Sequence, residues 1–244
     1  MKKNLYYRAT MSRRNVIKEA IFNFFLGICS YPRLVLEVFL RRNMGERYFT
    51  LASAITVGLI LVLLPFAEYA FRRSFGYVLG HNWVWYAFVA AYGYFSYRRY
   101  LEVKHEPSVF DFARYSLSDG ILLPQFRNSG FSIRVQEIWM EPLAAFILGI
   151  VLLPLGQSML GSLFIVCAVV YSVSKAGAYY KGDNFIMDKI DEMICNEDLK
   201  RALIDNEESN RGIRFRSKFP SKQELRVQLS DAVVEEEEYA PEVV

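Results

Sequence analysis

Histidine and cysteine are scarce in this 244-residue chain, and neither is spaced for chemistry. His81 and His105 fall in separate linkers, and Cys29, Cys167 and Cys195 form no CxxC pair. That excludes a disulfide framework and a zinc site as organising elements. The glycine signatures that cradle phosphates, GxxxxGK[ST] and GxGxxG, are missing, as is the GxSxG nucleophile elbow. No two carboxylates have a spacing that implies paired acid and base catalysis. The expectation is a protein that is not an enzyme and holds no cofactor and no metal. A net charge of only +3 gives no single-sign field that would announce a nucleic-acid or polycation partner.

Charge is also absent from long stretches, and those stretches carry the fold. Residues 50–67, 82–97 and 143–174 contain no charged side chain. At about 1.5 Å per residue, residues 50–67 cover roughly 27 Å, close to a bilayer's hydrocarbon core. The last block is too long for one span and has Pro154-Leu155-Gly156-Gln157-Ser158 at its middle, a turn sequence. Glu141-Pro142 reads as a helix start. The expected fold is an all-α integral membrane protein with four transmembrane helices arranged as two hairpins. It has an N-terminal in-plane amphipathic helix and a cytoplasmic C-terminal tail.

The regions follow from these runs. Residues 1–47 are basic, with no cleavable signal peptide expected, and hold interfacial amphipathic helices. Val16, Ile17, Ala20, Ile21, Phe24, Phe25 and Ile28 share one helical face, Tyr31-Pro32 breaks the helix, and a second piece follows with Arg33, Glu37, Arg41 and Arg42. Residues 48–97 form the first hairpin, in which Ala54 and Gly58 permit close approach. The second span is aromatic at both ends, which suits interface belts. Residues 98–141 are a cytoplasmic loop, which the turn formers leave open either as two short strands around 117–123 and 131–135 or as an extended loop clasping a partner. Residues 142–175 are the second, transmembrane or re-entrant, hairpin. Residues 176–244 are a cytoplasmic tail, in which Ile186, Ile190, Met193, Ile194 and Leu203 suggest an apolar helix face. Asp183, Asp188, Asp191, Glu192 and Asp198 suggest its solvated face.

Lysine and arginine set the orientation. They crowd the N-terminal region, the middle loop and the tail, and they are absent from the 155–158 turn. Both termini are therefore expected in the cytoplasm, in an inner or plasma membrane. Glu68 then sits near the outer interface, four residues before Arg72, in the favourable order for an interfacial ion pair.

The one distinctive soluble motif is RGIRFRSKFPSKQELR, residues 211–226. Arg211, Arg214, Phe215, Arg216, Lys218, Phe219 and Lys222 interleave cations with rings, which suits a membrane surface of anionic lipids or an acidic partner. Nucleic acid is disfavoured, because one short stretch is weak evidence for it. The expected partners are the lipid bilayer and other membrane protein subunits, or further copies of the chain. The expected function is a non-enzymatic multi-pass subunit or scaffold of a larger membrane complex, such as a secretion or conjugative DNA-transfer apparatus. An oligomeric small channel or transporter and a membrane-shaping hairpin protein are the alternatives.

Overall fold

In a computed structural model of the protein, residues 16–45, 49–69, 82–105, 130–204, 215 and 219–238 are described. Among them the chain is all-helical, with no strand. The helices are α1 (Val16–Leu40), α2 (Leu51–Tyr69), α3 (Trp83–His105), α4 (Glu141–Leu152), α5 (Ser158–Ile204) and α6 (Gln223–Glu238). Three helical stretches are long and apolar enough to cross a membrane: Ile17–Leu40, Ile133–Leu152 and Ser158–Ile204. The apolar part of α2, Leu51–Phe66, is shorter. The chain divides into two compact units, residues 20–179 and residues 1–19 with 180–244.

In the larger unit, α2 and α3 form the first hairpin. Pro65 lies inside α2 and has no N–H, so the Leu61 carbonyl loses its helical donor. The indole Nε1–H of Trp85 donates to that carbonyl at 2.9 Å. A neighbouring helix thus supplies the hydrogen bond that proline removes, which makes a mid-helix proline tolerable away from water. One helical stretch further along, the Tyr92 hydroxyl donates to the Ala54 carbonyl at 3.3 Å, and its ring lies against Gly58. The small pair Ala54 and Gly58 is where α3 approaches, as its spacing predicts.

The second hairpin joins α4 to α5 through the turn at 153–157, with Gly156 at φ +78°. Here the backbones themselves meet. A Cβ on Gly149 would lie 2.8 Å from the Gly161 carbonyl oxygen, and one on Gly161 would lie 2.8 Å from the Gly149 carbonyl oxygen. Only glycine fits at both positions. Phe88 of α3 meets Phe164 of α5 at 5.3 Å between ring centroids, which joins the two hairpins.

Several expectations need correction. α1 is one helix that runs through Pro32. The Ser30 hydroxyl donates to the Gly27 carbonyl at 2.6 Å in the preceding turn, a side-chain bond of the kind that eases a proline inside a helix. The second half of α1 is not a surface piece. Leu34, Val35, Leu36, Glu37 and Val38 are all buried, and Phe39 stacks on Phe88 and packs against Phe95. A helix buried all round belongs in a core. Residues 131–135 are not a strand: Ser132 caps a helical turn at Ile133–Val135 by accepting from the Val135 amide. The expected strand at 117–123 lies outside the described residues. The second arm of the second hairpin does not stop near Lys175, because α5 continues to Ile204.

In the smaller unit the buried stripe of α5 is Cys195, Leu199, Ala202 and Leu203, at helical spacing. Ile186, Ile190 and Met193 are exposed instead, so of the expected apolar face only Leu203 is buried and Ile194 half-buried. α6 starts after Lys222 and carries the acidic tail to Glu238 as helix.

Two substitutions test the hairpins. Trp85→Phe removes the side-chain donor to the Leu61 carbonyl, and should cost about 1–3 kcal/mol in thermal or denaturant unfolding. In a Pro65→Ala background the backbone amide returns, and the same change should cost markedly less. Gly161→Val should destabilise by about 2–3 kcal/mol through overpacking. Gly93→Ala, which meets nothing within 4 Å, should be neutral or slightly stabilising.

Candidate functional site

The larger unit holds a cluster of charged side chains that are buried rather than solvated. Arg33 and Glu37 on α1 and Arg41 just past its end, whose amide still donates to the Glu37 carbonyl, recur every four residues and so lie along one stripe. On the segment that leads into α4, Glu137 and Glu141 have the same spacing. α5 contributes Tyr171, Ser174, Lys175 and Tyr179. Glu141, Tyr171 and Ser174 are fully enclosed, Glu37 is 2% exposed, and Arg41 and Lys175 are also buried.

Arg41 is the hub. Its Nη2 donates to Glu137 Oε1 at 2.8 Å and to Glu141 Oε1 and Oε2 at 3.2 and 3.1 Å. Its Nε donates to the Tyr171 hydroxyl at 3.2 Å, and that hydroxyl in turn donates to Glu141 Oε2. Glu137 is held from the other side by the Tyr179 hydroxyl at 2.9 Å and by Lys175 Nζ at 3.7 Å. Lys175 Nζ also lies 3.8 Å from Glu37 Oε1, which Arg33 Nε approaches to 3.1 Å. Arg33 Nη1 donates to the Ser174 hydroxyl at 3.0 Å. Three cations and three carboxylates therefore neutralise one another among three helical segments.

The local backbone explains how Glu137 and Glu141 reach the same guanidinium. Residues Gln136–Met140 form a π-turn, in which the Glu141 amide donates to the Gln136 carbonyl. The wide turn comes immediately before Pro142, whose missing N–H breaks the regular ladder. Such single π-turns often mark functional positions. A second, smaller set lies where α1 ends. Arg99 Nε donates to the Val38 carbonyl at 3.3 Å, and its Nη1 pairs with Glu102 at 2.6 Å. Glu102 accepts from the Asn43 amide at 3.1 Å, where Asn43 takes φ +50° and turns the chain toward α2.

Energetically, such a cluster is weak evidence of stability. Desolvating ions is expensive, and a buried pair roughly breaks even against well-packed apolar residues. Removing one member, however, strands its partner. An arrangement of these segments that parted the charges would therefore be penalised.

The residues singled out from the sequence are not gathered here. Glu68 lies on α2, but its side chain and Arg72 lie outside the described residues. Of the basic-aromatic stretch, Arg211, Arg214, Arg216 and Lys218 lie outside them too. Phe215 and Phe219 face each other at 6.2 Å between centroids, and Lys222 is exposed just before α6. Asp198 is buried, unlike the rest of the acidic face on which the sequence places it, and among the described residues no group of three His, Cys, Asp or Glu could hold a metal ion. Sequence reasoning missed the network because its members flank the apolar runs rather than interrupt them. The available signal was the four-residue spacing of Arg33, Glu37 and Arg41 beside that of Glu137 and Glu141.

Arg41→Met should lower stability by about 3–5 kcal/mol, because it leaves two buried carboxylates short of a cation. The double variant R41M/E141L should recover most of that loss, since Glu137 keeps Lys175 and Tyr179. Denaturant unfolding in a mild detergent reads both. No family model, no curated protein and no solved structure matches the chain.

Proposed function

We propose that the chain is a non-enzymatic, multi-pass membrane subunit or scaffold of a larger membrane complex, of the kind that serves secretion or conjugative DNA transfer. The observation that carries this reading is the use made of the buried charge. The six ions of the network are spent on one another, holding helices in place, rather than lining a path for a solute. The outer surface of the larger unit is strongly apolar, with Ile55, Leu59, Leu63, Leu143, Ile147, Val166 and Val173 all exposed. Such a surface suits lipid and neighbouring membrane subunits.

The reading includes four spans, α2, α3, α4 and the first part of α5, in an inner or plasma membrane with both termini cytoplasmic. Two lines support it. The positive charges of the sequence favour this orientation. The polar partners of α1 also all belong to one end of the four helices: Arg99 and Glu102 near the end of α3, Glu137 and Glu141 at the start of α4, and Tyr171 to Lys175 on α5. From Ser158, Tyr171 is roughly 20 Å and Lys175 roughly 26 Å along the helix. In a core of about 30 Å the network then lies near the inner boundary, where charge is least costly. α1 would lie against that end, with Ile21, Phe24, Ile28 and Tyr31 exposed along the face opposite its packed one.

Gentle native extraction of the tagged protein, with composition analysis of what accompanies it, tests the subunit reading. Other membrane or cytosolic proteins at fixed stoichiometry are expected. A homo-oligomer without partners would count against it and favour a channel. Topology has its own test. The native thiols Cys29, Cys167 and Cys195 are buried, so a Gln157→Cys reporter should be labelled by an impermeant reagent from outside only. Labelling from the cytoplasmic side, or from neither, would overturn the full-span second hairpin.

A further inference from the structure

Among the described residues of the larger unit, charges of opposite sign are placed differently. Its described residues include four carboxylates whose side chains are placed: Glu37, Glu102, Glu137 and Glu141. All four are engaged by cations of the same unit. Glu37 meets Arg33 and Lys175, Glu137 and Glu141 meet Arg41, and Glu102 meets Arg99. Arg42, Arg98, Lys104 and Arg134 are exposed at that same end. Arg134 stacks over the Tyr179 ring at 5.2 Å, and Lys104 lies 6.0 Å from the Tyr100 ring. Among the described residues, the placed acids are thus engaged by cations of the unit, while Arg42, Arg98, Lys104 and Arg134 are exposed.

This outward charge sits beside the residues that mark a bilayer boundary. Trp139 and Tyr97 are 66% and 57% exposed, and such rings settle at headgroup level. The exposed apolar band of α4 and α5 begins directly above, with Leu143 and Val173. From the charge, the flanking rings and the adjoining apolar band, we infer that Arg42, Arg98, Lys104 and Arg134 form a collar that selects anionic phospholipid headgroups in the leaflet they face. The inference rests on reading that end of the helices as the membrane interface. Cations near a charged membrane surface each contribute measurably to such selection, within a screening length of about 10 Å at 0.1 M salt.

The test uses the full chain in phosphatidylcholine vesicles carrying a trace of spin-labelled phosphatidylglycerol or spin-labelled phosphatidylcholine. The wild type should immobilise the anionic label preferentially, and about 0.5 M salt should weaken that preference. The variant R42Q/R98Q/K104Q should lower the ratio several-fold, whereas R42K/R98K should keep it. A melting curve confirms that these exposed substitutions leave the fold intact. A wild-type ratio of one would overturn the collar. So would a triple variant that keeps the full preference, as would loss of it only on neutralising Arg211, Arg214, Arg216 and Lys218. Because the readout needs no other protein, failure here is separable from failure to find partner subunits.

Discussion

The guanidinium of Arg41 is the group on which the arrangement of the larger unit depends. It touches two carboxylates and a tyrosine hydroxyl that belong to two other helical segments. In a protein interior, where the surroundings respond weakly to charge, such contacts are strong and their absence is costly. Apolar packing alone would let α1 rotate or slide among neighbours of similar chemistry. A bidentate cation facing fixed acceptors does not permit that, so the choice of arrangement comes from the polar cluster and the bulk of the cohesion from the rings and aliphatic chains around it.

The two hairpins solve a different problem by two different means. In α2 a proline leaves a carbonyl without its donor, and an indole from α3 fills the vacancy. Between α4 and α5 the backbones approach so closely that a methyl group has no room. Both are pairings of one residue with one other, and both set the height of one helix against its neighbour. The aromatic contacts of Phe39, Phe88 and Phe164 then join hairpins already fixed in register.

The apolar runs and the turn at Pro154 to Ser158 made the hairpins legible in the sequence, because length and hydropathy act locally. The small pair Ala54 and Gly58 was legible for the same reason. The fate of α1 was not. Its charges look like those of a surface helix until their partners are known, and those partners lie 96 to 141 residues away. Pro32 suggested a break, yet the Ser30 hydroxyl bond to the Gly27 carbonyl and the burial of Leu34 to Val38 beyond it accompany an unbroken helix. The π-turn before Pro142 left a trace only as a proline after a glutamate, which reads equally well as an ordinary helix start. The basic-aromatic stretch and the pair Glu68 and Arg72 carry their information in composition alone.

The sequence separation of the network has a consequence for how the protein is made. Synthesis delivers Arg33, Glu37 and Arg41 first and Tyr171, Ser174 and Lys175 much later. Until Glu137 and Glu141 have been made Arg41 has no counter-ion, and until α5 follows the set still lacks Lys175 and its hydroxyls, so these charges are costly to bury in hydrocarbon early. The N-terminal helix must therefore wait at the aqueous boundary while the hairpins are laid down. Its docking is the closing step of assembly rather than the first. A quality-control protease would meet that helix undocked in every chain that stopped short of α5.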